Sequence, residues 1–139
     1  MADAVTTQVL HKGDHNNRYV VRLTSLSDGT GESAVIKVDI STLGVTQGEA
    51  GAPSKTCTWT TVEKIEYNVS GMTVSLLWDH TTDDVIARLG SGFGCEDFKK
   101  VGGLHDPKSS GGTGDILLTT AGHTSGDTYD ITLYLKLEA

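Results

Sequence analysis

The densest polar cluster in the chain is Asp79-His80 followed closely by Asp83-Asp84. Carboxylate oxygens grouped in this way could ligate Ca²⁺, but the spacing of an EF-hand loop and its hinge glycine are absent. The cluster reads more simply as an acidic turn between a strand ending near Trp78 and another beginning near Val85. Asp28-Gly29-Thr30-Gly31-Glu32 looks like half a calcium loop, and it too reads better as a turn. His123, Ser125 and Asp127 are the residue types of a hydrolase triad. Packed so closely in sequence, they cannot reach nucleophile, base and orienter positions unaided, and no G-x-S-x-G elbow is present. Gly111-Gly112-Thr113-Gly114 lacks the Lys-Ser/Thr of a phosphate loop and precedes a strand, not a helix.

The five histidines, at positions 11, 15, 80, 105 and 123, are scattered. Zinc sites draw on dense local pairs such as HExxH or CxxC, and neither occurs, so these read as solvated loop histidines. Cys57 falls in a strand and Cys95 in a glycine-rich loop. Two cysteines make no disulfide framework, and the expectation is two free thiols with Cys57 buried. Trp59 and Trp78 could stack on sugar rings, but both lie on the apolar phase of their segments and are expected in the core. No catalytic, cofactor-binding or metal-ligating residues are assigned, and the expectation is a protein that is not an enzyme.

The elements that would carry these residues are strands. Period-two alternation recurs along the chain, and nowhere does a 3.6-residue period persist. Ala34, Ile36, Val38 and Ile40 alternate with Lys37, Asp39 and Ser41. Met72, Val74, Leu76 and Trp78 alternate with Thr73, Ser75 and Asp79. Tyr129, Ile131, Leu133, Leu135 and Leu137 alternate with Thr128, Asp130, Thr132, Lys136 and Glu138. Such segments have one dry and one wet side, as half-buried antiparallel strands do. Segments 5–10, 18–26, 56–69, 84–89 and 115–120 complete the set. In 56–69, Cys57, Trp59, Ile65, Tyr67 and Val69 share a face that Glu63 interrupts, which predicts a bend or bulge near Val62.

With 17 Gly, 2 Pro and breakers such as Ser70-Gly71 and Ser125-Gly126-Asp127, the segments are joined by tight turns. The reading is all-β: one antiparallel β-sandwich domain over 1–139 with about seven or eight strands, jelly-roll topology being one arrangement it allows. Residues 44–55 and 90–114 are expected as long loops. The second carries Phe93, Phe98, Val101 and Leu104 in a Gly/Ser-rich frame. Those four either tuck beneath the sandwich or dock on a neighbour, which makes them the candidate interface loop.

The net charge of −7 and the absence of a basic stripe argue against nucleic acid as a ligand. No apolar run approaches the roughly 18–20 residues of a bilayer span, so no membrane partner is expected. The opening MADAVTTQVLHKGD has neither the basic region nor the apolar run of a secretory signal, which predicts synthesis and maturation in a reducing cytoplasm.

Three stretches carry a resemblance: VRLTSLSDGTGESAVIKVDISTL (21–43), KIEYNVSGMTVSLLWD (64–79) and GDILLTTAGHTSGDTYDITLYLKLE (114–138). Together they are similar to a group of small virion structural proteins of tailed phages, with 90–110 matching least well. The resemblance implies a place in the particle: a capsid decoration (cement) protein, a neck or tail component being the alternative. It implies no catalytic or ligand residues. Its implied partners are the major capsid protein or other virion proteins and further copies of the chain, a trimer being favoured. The implied location is the virion, after synthesis in the host cytoplasm. A glycan-binding β-sandwich module is the reading from a different class.

Overall fold

Each alternating segment contributes a strand, and in most of them the apolar side faces a second sheet; in 5–10 and at Ala34 and Ile36 it stays exposed. The computed structural model describes residues 3–12, 17–45, 55–107 and 110–138. Within them the chain forms β1 (Ala4–Lys12), β2 (Arg18–Leu26), β3 (Val35–Val38), β4 (Gly44–Val45), β5 (Lys55–Thr56) and β6 (Trp59–Ser70). It continues with β7 (Thr73–Trp78), β8 (Asp84–Leu89), β9 (Gly92–Asp97), β10 (Leu104–His105), β11 (Ile116–Ala121) and β12 (Thr128–Glu138). All eight segments read from the alternation are strands, and four more are added, the six-residue β9 and the two-residue β4, β5 and β10. The only helical turns among the described residues are 3-10 turns at Ile40–Thr42 and Lys99–Val101. No helix there is long and apolar enough to cross a membrane.

Two antiparallel sheets make the sandwich. One runs β1-β2-β12-β6, with β9 and β10 sharing the far edge of β6; the other runs β3-β11-β7-β8. A separate two-stranded ribbon joins β4 to β5. Between the sheets lie Val21, Leu23, Ile65, Val69, Ile131, Leu133 and Leu135 from the first, and Val74, Leu76, Trp78, Leu89, Ile116 and Leu118 from the second. Each such side chain, fully removed from water, contributes roughly 1.5–3 kcal/mol, and together they supply the main drive to fold.

Of the four register shifts among the described strands, two change the alternation read from the sequence. In β6, Lys64 pairs with Tyr134 but Val62 pairs with Leu135, leaving Glu63 as the extra residue. The bulge lets Thr60 and Val62 face inward on one side of Glu63 while Ile65 and Val69 face inward on the other. Glu63 itself turns out to meet Arg18 at 2.8 Å, and its carbonyl accepts from Phe98 N. The bend expected near Val62 is therefore present. It also corrects the placement of Trp59, which falls on the phase opposite Val62 and is only half-buried, while Trp78 is in the core as expected.

In β3, Val38 pairs with Ile116 and Ile36 with Leu117, so Lys37 is the extra residue. Its side chain points inward, not to the wet side that simple alternation assigns, and the strand ends at Val38 instead of continuing to Ser41. Asp39 stops it: its carboxylate accepts from Ser41 N and caps the following 3-10 turn. Ala34, expected inside this strand, sits just before it with φ of 49°.

The expected loop at 90–114 also contains regular structure among its described residues. Phe93 and its neighbours in β9 pair with Lys64–Val69, and Leu104-His105 pair with Thr61-Val62. Glycines had masked this strand from period-two reading: Gly92 and Gly94 leave Phe93, Cys95 and Asp97 with no apolar partner phase. Of the other expected loop, 46–54 lie outside the described residues.

Candidate functional site

The four apolar residues of the candidate interface loop separate into two pairs. Phe98 and Leu104 pack against the core, held there by the Phe98 N bond to Glu63 O and by the β10 pairing. Gly103, with φ of 91°, makes the close approach possible, since a Cβ there would stand 2.5 Å from the Thr61 methyl group. Phe93 and Val101 remain 84% and 74% exposed. Burying them would remove apolar surface from water, which is the chemistry of a protein contact.

Phe93 stands at the rim of an open groove of about 570 Å³ on the outer face of the larger sheet. Its lining is more apolar than polar, and its charged side chains are partnered. Arg22 forms a two-pronged contact with Asp130, at 2.9 and 2.5 Å. The Tyr134 hydroxyl donates to Glu66, which holds the phenol above its usual range, and Lys64 lies 5.2 Å from the Tyr134 ring centre. These pairs are exposed and mutually neutralised, so the groove has shape but little uncompensated charge.

His80 corrects the reading of the histidines. Its side chain is fully buried, with Nδ1 2.6 Å from Asp84 and Nε2 2.6 Å from Asp106. Burial works against the imidazolium, but the two carboxylates outweigh it and raise the pKa. The signal missed in the sequence was Asp106, which lies 26 residues away and is brought in by the chain between β10 and β11. His11 and His105 are exposed, His123 is half-buried against Thr120, and His15 is outside the described residues.

The rest of the acidic cluster is committed to the turn. Asp83 accepts from His80 N at 3.1 Å, and Asp79 accepts from the Thr113 hydroxyl at 2.8 Å. Among the described residues no group of His, Cys, Asp and Glu could hold a metal ion. His123, Ser125 and Asp127 do not converge either, because Asp127 caps its own turn by accepting from Thr124 N and Oγ1.

A second internal network joins the two most distinctive phrases of the sequence, 27–32 and 120–129. Glu32, turned inward from the β2–β3 connection, meets Lys37 Nζ at 2.5 Å and accepts from the Tyr129 hydroxyl. Burial, then the Glu32 carboxylate, push the Tyr129 phenol far upward. Ser27 N donates to Asp127 O, and Gly126 N donates back to Ser27 O. Asp28-Gly29-Thr30 is a turn, with Asp28 accepting from Thr30 N. These residues knit one end of the sandwich.

Trp59 lines a further pocket of about 600 Å³ beside Asp39, Ser41, Cys57 and Asp115. Asp115 accepts from Ile40 N at 2.9 Å, and its burial raises its pKa. Cys57 is buried and Cys95 exposed, both as free thiols. Cys57 sits between β5 and β6 and not within a strand. Comparison with known protein families, with curated proteins and with solved structures finds no match to this chain.

Proposed function

We propose that this chain is a non-enzymatic structural protein of a phage virion, most simply a decoration protein that stabilises the shell through protein–protein contacts. The observation that supports this best is the pair Phe93 and Val101, left 84% and 74% exposed on an ordered segment. Two large apolar side chains held on hydrogen-bonded backbone are suited to docking, because little ordering entropy remains to be lost on contact. The resemblance in 21–43, 64–79 and 114–138 supplies the setting. Partners in this reading are the major capsid protein and further copies of the chain, and the site of action is the particle.

Densitometry of purified particles tests the proposal. The expected result is one copy, or a third of a copy, per shell subunit. About a dozen copies per particle would instead favour a neck or tail ring, and absence from the particle would remove the virion reading.

A second reading has one observation in its favour. Half-buried Trp59, beside Asp39 and Ser41 in its pocket, combines an aromatic face with polar groups, as sugar recognition requires. Titration with oligosaccharides while following tryptophan emission tests it in wild type and Trp59→Phe. A saturable change that disappears in the variant would support a glycan module.

A further inference from the structure

Six of the nine large apolar side chains exposed among the described residues gather along one side of the sandwich: Val5, Val9, Leu10, Leu26, Val35 and Ile36. β1 and β3 are end strands of their sheets. The opposite end strands, β8 and β9, are joined by Gly90-Ser91 alone, so the β1 and β3 edges lie together on the other side. Val5, Thr7 and Val9 stand opposite Ser25, Leu23 and Val21 and therefore point inward. The smaller sheet is one strand narrower, and Val5 and Val9 stay 45% and 50% exposed.

Natural proteins guard free edges with charge, proline or very short strands. β1 spans nine residues, and its stretch Ala4–Leu10 carries no charge, proline or glycine in a chain of net charge −7. Its single irregularity is the bulge at Leu10.

The stretch is also a chemical palindrome about Thr7. Val5 answers Val9 on the inner face, while Thr6 answers Gln8 and Ala4 answers Leu10 on the outer. A two-fold contact demands that residue i meet j while j meets i. Antiparallel pairing of two β1 strands about Thr7 meets that demand and keeps inner residues with inner ones. An unrelated partner strand would need no such symmetry.

We infer that β1 is a homotypic docking edge, through which two copies pair antiparallel and join their larger sheets into one. The uncharged stretch keeps like charges out of the contact, and Val35 and Ile36 of β3 add apolar surface beside it. This pairing is two-fold, whereas the resemblance favours a trimer. It does not rest on the virion reading: a monomer in solution removes it and leaves association with a particle open.

Sedimentation velocity of the intact chain over a range of concentrations tests the pairing. The expected species has twice the 14.7 kDa mass and grows with concentration. Thr7→Lys sets two ammonium groups face to face and gives a monomer with an unchanged circular dichroism spectrum, while Phe93→Ser leaves the dimer intact. A monomeric wild type, a dimer that survives Thr7→Lys, or one lost with Phe93→Ser overturns the inference. Cross-linking reads the same contact without relying on a loss. In a Cys95→Ser background, Thr7→Cys forms a covalent dimer on mild oxidation and Val85→Cys, on the opposite edge, does not. No cross-link at residue 7, or equal cross-linking at residue 85, also overturns it.

Discussion

Lys37 and Glu32 meet at 2.5 Å with side chains only 5% and 7% exposed, an ion pair closed off from water between β3 and the loop that precedes it. Removing one member strands the other charge in a dry site, which costs about 3–5 kcal/mol. Lys37→Met is therefore expected to lower the urea midpoint strongly. Glu32→Leu combined with Lys37→Met is expected to recover much of the loss, because no charge is then left behind. Equilibrium unfolding of the three proteins checks both outcomes.

His80 makes stability depend on pH. Its pKa is raised in the folded state, since the Asp106 and Asp84 carboxylates outweigh the opposing effect of burial. The folded protein thus holds this proton more tightly than the unfolded chain, whose histidine titrates near ~6.5. The contribution is complete below that value and declines as pH climbs through the higher folded-state pKa. The melting temperature of wild type is expected to fall over that window relative to His80→Gln, in which this slope is lost. Parallel slopes for the two proteins would refute it.

Gly31 has φ of 77°, and a Cβ at this position would stand 2.2 Å from the His123 ring. Gly31→Ala is expected to destabilise by roughly 1–3 kcal/mol through backbone strain and collision together. His123→Ala in the same chain should return only the part due to collision. Thermal unfolding of the single and double variants separates the two contributions.

The interior and the docking surface should respond differently to truncation. Leu133 is fully buried, so Leu133→Ala is expected to cost about 2–5 kcal/mol. Phe93→Ala should change stability by no more than about 0.5 kcal/mol, because the ring has little packing to lose. Denaturant unfolding of both variants tests the contrast.

The thiols should differ in the same way. Cys95 is exposed, while burial pushes the Cys57 thiol up. A thiol reagent at neutral pH is expected to modify one cysteine promptly and the second only in denaturant. Mass mapping after brief labelling should find the adduct on Cys95.

The alternation of 72–79 and 128–138 predicted β7 and β12 well, because the extra residue of each irregular pairing lies on the neighbouring strand, Ile86 on β8 and Glu63 on β6. Trp59 and Lys37 were misassigned for one shared reason. A single extra residue reverses which side every later side chain faces, and only pairing with a neighbour reveals where it sits. Glu63 signalled its bulge because a carboxylate broke an apolar face; Lys37 gave no such signal, since a lysine looks at home on a wet face. His80 was illegible for another reason: its stabilising partner Asp106 is distant in sequence. The split within 90–114 was anticipated only as two options, and backbone pairing with β6 decided which residues tuck in.

β12 occupies the middle of the larger sheet, with β2 on one flank and β6 on the other. Roughly a hundred residues separate β2 from β12, and at ribosomal rates that interval lasts about 5–20 s. Once β6 is complete, for about the last sixty residues of that interval, β2 and β6 have no strand between them and their apolar sides stay wet. A nascent chain of this design is therefore most vulnerable to misassociation between completion of β6 and emergence of β12, and its larger sheet forms only when the central strand slots in between two that have been waiting for it.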